Sequence, residues 1–164
     1  MKKESYEKMA AVTGRYDAVR KLIVWSDRIL TKISYIAYPL LLAVLILRKD
    51  PDTVRAVLVP AVSFVVISVF RYLYCAPRPY EVMDLDPVIK KKTKGKSFPS
   101  RHVFSAFMIA FVFYRFIPEA GIALGILAVL MAAVRVLGGV HFIKDVAAGA
   151  VAGILCGITG FYII

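Results

Sequence analysis

Long apolar runs without charge constrain this chain more than any other feature of its sequence. The stretch from Val146 to Ile164 contains no charged side chain, and neither does the stretch from Ala56 to Phe70. A helix needs about 20 mostly apolar residues to cross a bilayer. Open strands cannot satisfy their backbone polar groups in lipid, so such runs are read as helices. The sequence therefore predicts an all-α integral membrane protein.

Five segments are apolar enough to predict a bundle of five transmembrane helices. They cover about residues 29–47, 56–77, 103–117, 120–137 and 146–164. The connections between them are short except for residues 78–101, and no internal repeat or second domain is visible. We therefore expect one membrane domain over residues 1–164, with the long 78–101 loop at its active site.

The composition excludes several other classes of protein. Hydrophobic residues make up 60% of the chain, above the usual soluble range of about 45–50%. Lys and Arg number 22 against 11 Asp and Glu, which gives a net charge of +11. A basic balance can indicate nucleic-acid binding, but such domains do not carry uncharged runs long enough to cross a bilayer. We expect membrane lipids as partners and no nucleic acid.

The N-terminal segment, residues 1–28, carries charge but no long apolar run, so it is not a signal peptide. Apolar side chains recur there at helical spacing, with charged residues on the other side. This pattern predicts an amphipathic helix lying in the membrane interface before the first span. The alternative is a helical cap on the bundle, and the sequence alone does not separate the two.

Small residues recur every four positions in the last span, at Gly149, Gly153 and Gly157. Such a face lets two helices approach closely. It predicts either a homodimer through these glycines or, as the simpler alternative, packing within the same bundle.

Ionisable residues at the ends of the predicted spans form three clusters. Such groups are costly in a membrane unless they face a cavity or have partners. The topology places all three clusters on the same side of the membrane. The clusters are Arg71 to Pro79, Pro99 to His102, and Arg135 to Asp145.

The content of these clusters suits a phosphate. Guanidinium groups bind phosphoryl oxygens with directional hydrogen bonds, and Ser100 with nearby helix N–H groups can add donors. His141 and Asp145 are four residues apart and share a helix face, so the carboxylate can hold one imidazole nitrogen while the other attacks. His102 can protonate the leaving oxygen. The pattern predicts covalent phosphoryl transfer stabilised by arginine rather than by a metal.

Other interpretations fit the residues singly. A lone histidine at a helix end is usually structural, and a lone interfacial arginine usually contacts lipid headgroups. Two histidines and one aspartate at these spacings match no common zinc site, so we expect no metal. The lysine run at 90–96 is typical of a solvated face that attracts lipid headgroups.

The three clusters resemble the motifs of the type 2 phosphatidic acid phosphatase family. That family carries K-x6-R-P, P-S-G-H and S-R-x5-H-x3-D, which appear here as Arg71-x6-Arg78-Pro79, Pro99-Ser100-Arg101-His102 and Arg135-x5-His141-x3-Asp145. Arg71 replaces the family's lysine, Arg101 replaces its glycine and Val134 replaces its serine. None of these changes removes a charged catalytic group, but they alter the shape of the pocket.

The resemblance implies a role for each matching residue. His141 is expected to be the nucleophile that forms a phosphohistidine, Asp145 to orient it, and His102 to act as acid and then base. The phosphate-binding residues are expected to be Arg71, Arg78, Ser100, Arg101 and Arg135. The family needs no cofactor.

The resemblance also implies a lipid phosphate or diphosphate as substrate. The chain looks like the compact bacterial members, so undecaprenyl diphosphate is the first choice. Phosphatidylglycerol phosphate, phosphatidic acid and lipid A are the alternatives. An anion transporter and an inactive lipid-binding protein are rival functions; the absence of paired broken helices disfavours the first, and the intact histidines disfavour the second.

Two arguments about orientation in the cell membrane disagree. Five spans place the N-terminus and all three motifs on one side, together with most of the Lys and Arg residues. The positive-inside rule would put that side in the cytoplasm. The family implies an active site facing the extracytoplasmic side, and this is the orientation we expect.

Overall fold

The computed structural model describes residues 13, 16–83, 86–91 and 93–163, and all regular secondary structure in these ranges is helical. The prediction of an all-α protein is confirmed. The helices are α1 (Asp17–Leu47), α2 (Thr53–Tyr74), α3 (Pro79–Val82), α4 (Arg101–Phe116), α5 (Pro118–Leu137) and α6 (Ile143–Ile158), and α6 continues as a π-helical turn, Thr159–Ile163.

Four helical stretches in the described ranges are long and apolar enough to cross a membrane. They are Asp17–Leu47, Thr53–Val82, Pro118–Leu137 and Ile143–Ile163, with mean hydropathies from 1.9 to 2.4. Large apolar side chains on their outer faces, such as Val62, Val65 and Leu130, are exposed in the bundle and suited to lipid contact. The chain is a multi-pass membrane protein.

The helix predicted as the third span, α4, is short and lies at the centre of the bundle. Its 16 residues rise about 24 Å, less than the ~30 Å of a hydrocarbon core. It packs against α1, α2, α5 and α6, and its inward side chains include the fully enclosed Phe104, Met108 and Val112. The count of five spans remains a prediction, because α4 is shorter than the hydrocarbon core while the other four stretches are long enough to cross it.

The amphipathic N-terminal segment is not a separate helix where it is described. Residues 17–28 and the first predicted span form the single 31-residue helix α1. Val19, Ile23 and Val24 pack against Val88, Ile89 and the neighbouring Val140 instead of pointing uniformly into a membrane interface. Leu22 and Trp25 are exposed. This part of α1 therefore packs against residues 88 and 89 of the 78–101 loop. The amphipathic interfacial helix remains a prediction, and residues 1–12, 14 and 15 lie outside the described ranges.

The glycine face of α6 packs against α4 within the same chain. A Cβ atom at Gly149 would lie 2.6 Å from the carbonyl oxygen of Ser100, and one at Gly153 would lie 2.7 Å from that of Phe104. At Gly157 it would lie 2.5 Å from the ring of Phe111. The predicted homodimer through these glycines is not supported, because α4 already occupies the face.

We predict that Gly153→Ala destabilises the bundle by about 1–3 kcal/mol, because the new methyl group must push apart two packed backbones. The measurement is thermal unfolding of the detergent-purified protein, followed by light scattering. Gly125→Ala on α5 is the matched control, since a Cβ there meets nothing within 4 Å. A Gly153→Ala variant as stable as the Gly125→Ala variant would contradict the close approach of α4 and α6.

Candidate active site

The three polar clusters predicted from the sequence meet at one end of the bundle. The first lies at the C-terminal end of α2, the second at the start of α4, and the third in the turn from α5 to α6. Thr13 apart, the buried polar side chains of the described ranges all lie in or beside these clusters: Arg71, Arg78, Ser97, Ser100, Arg135, His141 and Asp145. The opposite end carries the loop between α1 and α2, where Arg115 pairs with Asp52 at 2.7 Å.

His141 and Asp145 face each other across one turn at the start of α6. The Nδ1 atom of His141 lies 3.6 Å from Oδ2 of Asp145, and both side chains are 1% exposed. The same carboxylate oxygen accepts a hydrogen bond from the backbone N–H of Phe142 at 3.0 Å. Asp145 therefore caps the N-terminus of α6 while it faces the imidazole, where the helix dipole favours negative charge.

Ser97 is a site residue that the sequence analysis missed. Its hydroxyl donates to Oδ2 of Asp145 at 2.5 Å, and its oxygen lies 3.3 Å from Nδ1 of His141. A hydroxyl group has one proton to donate. Because the Ser97 hydroxyl donates its hydrogen bond to Asp145, its oxygen accepts one from an Nδ1–H group of His141. This arrangement leaves the lone pair of the neutral imidazole on Nε2.

Burial holds His141 in its neutral form. The pKa of His141 is lowered to about 4, chiefly by desolvation and further by the positive charge of Arg78, and these effects outweigh the hydrogen bond to Asp145. A histidine that remains neutral above about pH 4 carries an available lone pair throughout the physiological range.

Arg71 and Arg78 lie inside the site but donate to backbone carbonyl groups. Arg71 donates to the carbonyl oxygens of Ser97, at 3.0 Å, and of Lys96 and Pro99. Arg78 donates to Gly95 at 3.0 Å, to Val140 at 3.1 Å and to Lys96 at 3.4 Å. The two guanidinium groups therefore fix the path of residues 95–99 past His141. Each group has five N–H donors, so these contacts use only part of its donor set.

Arg135 is 2% exposed and has a carboxylate partner on the first helix. Its Nε atom lies 2.9 Å from Oδ1 of Asp27, which ties the end of α5 to α1. The sequence analysis missed Asp27, which stands in a segment where charged residues looked like a solvated helix face.

The second cluster divides at the start of α4. Ser100 is fully buried, and its hydroxyl has no hydrogen-bond partner among the described residues, which suits the predicted role as a phosphate donor. The side chain of Arg101 is exposed, and its guanidinium carbon lies 5.2 Å from the centre of the Phe64 ring. The Arg101 side chain therefore packs over Phe64 of α2, while its backbone lies in the first turn of α4.

His102 lies where two cavities meet. One cavity, of about 430 Å³, is largely apolar and lies between α1, α2 and α4, with Arg101, Phe64 and Leu42 among its lining residues. The other, of about 560 Å³, lies between α1 and residues 88–91 and includes Arg135 in its wall. The second histidine is thus placed between an apolar space and one with several charged side chains in its wall. In the described ranges, no group of three His, Cys, Asp or Glu side chains is placed to hold a metal ion.

Two solved structures share this fold. LpxE from Aquifex aeolicus is 24% identical, with a TM-score of 0.74 over 96% of this chain and 92% of its own. A transmembrane PAP2-type phosphatidylglycerolphosphate phosphatase from Bacillus subtilis is 24% identical, with a TM-score of 0.62 over 94% of this chain and 90% of its own. No curated protein sequence matches this chain.

The sequence profile of the PAP2 superfamily matches residues 52–164. That range includes all three polar clusters and every helix from α2 onward. The resemblance inferred from the motifs is therefore confirmed, and the chain belongs to the PAP2 superfamily, the family of the type 2 phosphatidic acid phosphatases.

Proposed function

We propose that this PAP2 phosphatase hydrolyses a lipid diphosphate, with undecaprenyl diphosphate as the first choice, through a phosphohistidine on His141 and without a metal. The contact of Ser97 with both Asp145 and His141 carries the proposal. These contacts hold Nδ1 of the buried His141 imidazole toward Ser97 and Asp145, so Nε2 is the attacking nitrogen.

In the first half-reaction, Nε2 of His141 forms a bond to the terminal phosphorus of the lipid. The bond from that phosphorus to the leaving oxygen breaks, and the oxygen keeps the electron pair and takes a proton from His102, whose imidazolium form is favoured by the negative charge of the bound lipid phosphate. Asp145 stabilises the positive charge that develops on the His141 ring. In the second half-reaction, His102 takes a proton from water, and the water oxygen displaces His141 from phosphorus, which releases phosphate.

Charge on the phosphoryl oxygens is balanced by preorganised donors. Arg78 and Arg71 are fixed beside His141 by backbone carbonyl groups, and the hydroxyl of Ser100 is buried at the N-terminus of α4. Donors held in place before the reaction lower the barrier because no reorganisation is needed when the charge develops. The roles of Arg135 and of the Arg101 backbone N–H as further phosphate ligands stay predictions.

The apolar cavity supports a lipid substrate. It reaches His102 at one end and runs between α1 and α4 past side chains such as Met108. A hydrocarbon chain lying there would leave its phosphate beside His102. Phosphatidylglycerol phosphate is the second candidate, favoured by the fold shared with the Bacillus subtilis phosphatase; phosphatidic acid and lipid A are weaker alternatives.

We predict that the detergent-purified protein releases phosphate from a lipid panel in the presence of EDTA, with undecaprenyl diphosphate as the best substrate. Arginine and helix N–H groups supply the charge stabilisation, so chelation should leave the rate unchanged. The panel contains undecaprenyl diphosphate, phosphatidylglycerol phosphate, phosphatidic acid and lipid A. Loss of activity in EDTA that magnesium or zinc restores would argue against this mechanism.

We predict that His141→Ala abolishes turnover and that His102→Ala lowers it by about 10²–10⁴-fold, because the first removes the nucleophile and the second the acid. Ser97→Ala should lower kcat about tenfold or more, through the loss of one hydrogen bond to a charged group. Acid-labile, base-stable labelling by a ³²P-labelled substrate in the wild type, absent in His141→Ala, would identify the phosphohistidine. Substantial turnover by His141→Ala would contradict the assignment of His141 as the nucleophile.

We also propose that the active site faces the extracytoplasmic side of the cell membrane. The prediction is that Lys94→Cys, in a background with Cys75 and Cys156 replaced, reacts with a membrane-impermeant maleimide on intact cells. Arg48→Cys, exposed at the opposite end of the bundle, is the matched control and should react only after permeabilisation. The reverse pattern would place the site in the cytoplasm, as the positive-inside rule implies.

A further inference from the structure

The second cavity beside His102 carries five Lys and Arg side chains among its lining residues. It lies between α1 and residues 88–91, and it shares His102 and Arg135 with the site described above. Its charged lining residues are Asp27, Arg28, Lys32, Lys90, Lys91 and Arg135. The one carboxylate among them already pairs with Arg135 at 2.9 Å. Lys90 pairs with Asp86, so Arg28, Lys32 and Lys91 are the lining cations whose charge no carboxylate of the lining balances, which makes the cavity suitable for an anion.

Lys91 differs from its neighbours in the lysine run. Lys90 is exposed and pairs with the exposed Asp86, and Lys94 is also exposed and does not line the cavity. Lys91 is half-buried and makes no hydrogen bond or ion pair with another described residue. Its ammonium group is therefore available to a ligand in the cavity.

The backbone on both sides of Lys91 is anchored to the active-site end of the bundle. The N–H of Ile89 donates to the carbonyl oxygen of Gly138 at 3.1 Å, and the Ile89 side chain is buried against the turn that carries His141. On the other side, the hydroxyl of Tyr80 donates to the carbonyl oxygen of Thr93 at 2.5 Å. These contacts hold Lys91 at the cavity wall rather than in a solvated loop.

Electrostatics agree with this placement. Burial lowers the pKa of Lys91 to about 8, with further contributions from the positive charges of Arg135 and Arg78. The ammonium group is still mostly protonated at neutral pH, and an anion in the cavity would favour its charged form. Lys91 also contributes to the lowered pKa of His141, after burial and Arg78, so its charge is felt at the nucleophile.

We infer that Lys91 binds the phosphate that stays on the lipid when a diphosphate is cleaved, and that this contact makes the enzyme favour lipid diphosphates over monophosphates. The inference rests on the function proposed above. When Nε2 of His141 bonds to the terminal phosphorus, the bond to the bridging oxygen breaks and that oxygen leaves with the lipid monophosphate. The bridging oxygen takes the proton of His102, and Lys91 offsets the negative charge on the other oxygens of that phosphate.

The position of His102 explains why the cavity suits the departing phosphate rather than the transferred one. The transferred phosphoryl group must contact His141, which touches Ser97 and follows Val140, the carbonyl acceptor of Arg78. The leaving oxygen must contact the acid, His102, and the basic cavity lies against that residue. Thr31 lines both cavities, and its buried hydroxyl has no hydrogen-bond partner in the described ranges, so it can donate to the same phosphate.

The test compares two substrates with the same tail, farnesyl diphosphate and farnesyl monophosphate. We expect Lys91→Gln to lower kcat/KM for the diphosphate about tenfold or more, the size of one lost hydrogen bond to a charged group. The monophosphate, whose leaving group is an uncharged alcohol, should change less than about twofold by the same reasoning. Lys91→Arg keeps the charge and should keep the preference for the diphosphate.

Lys94→Gln is the matched control, because it removes the same charge from the same loop outside the cavity. Equal losses for both substrates in Lys91→Gln, or losses matched by Lys94→Gln, would overturn the inference and leave the proposed function standing. Wild-type protein that cleaves no lipid of the panel would overturn the proposed function instead.

A binding measurement covers the case in which Lys91→Gln is impaired for other reasons. We expect pyrophosphate to raise the thermal unfolding temperature of the wild type more than orthophosphate does, and Lys91→Gln to lose that difference while Lys94→Gln keeps it. A difference that persists in Lys91→Gln would assign the second phosphate to other residues and overturn the inference.

Discussion

The contacts of Asp145 hold the active site together, and the packing of α6 on α4 makes them possible. Its carboxylate caps α6 and accepts a hydrogen bond from the Ser97 hydroxyl, while its backbone carbonyl oxygen accepts one from the N–H of Ser100 at 2.8 Å. Asp145, Gly149 and Gly153 are spaced four apart on one face, so the glycines bring α6 close enough to α4 for these bonds to form. One helix face therefore determines both the packing of the bundle and the orientation of His141.

Preorganisation of positive charge is the second constraint. Three arginines are buried at this end of the bundle, and among the described residues Arg135 alone of them has a carboxylate partner, Asp27. Arg71 and Arg78 are stabilised by carbonyl dipoles, which neutralise less of the positive charge of each guanidinium group than a carboxylate would. Because burying cations without counter-ions is unfavourable, the site is poised to gain from an anionic substrate. Replacement of the family's lysine by Arg71 fits this arrangement, since a guanidinium group can reach several carbonyl groups at once.

The sequence predicted the membrane class, the helices and the meeting of the three clusters, because hydropathy and four-residue spacing are local signals. It did not predict Ser97 or Asp27, whose roles depend on contacts between segments far apart in the chain. A sequence motif also cannot tell whether an arginine donates to substrate or to backbone. Arg71 was predicted to bind phosphate, and in the structure it donates to backbone carbonyl oxygens. The side chain of Arg101 turns toward Phe64 for the same reason, since the space beside α2 is set by tertiary packing.

These contacts also bear on the conflict over membrane orientation. The positive-inside rule counts Lys and Arg in loops near the ends of spans as solvated charges. Arg78 is buried against carbonyl groups, Arg135 is paired with Asp27, and Lys91 faces a cavity. Cations that are buried against carbonyl groups or paired with a carboxylate carry less information about topology than solvated ones. The positive-inside argument for a cytoplasmic site therefore carries less weight for Arg78, Arg135 and Lys91, the cations that the proposed chemistry uses.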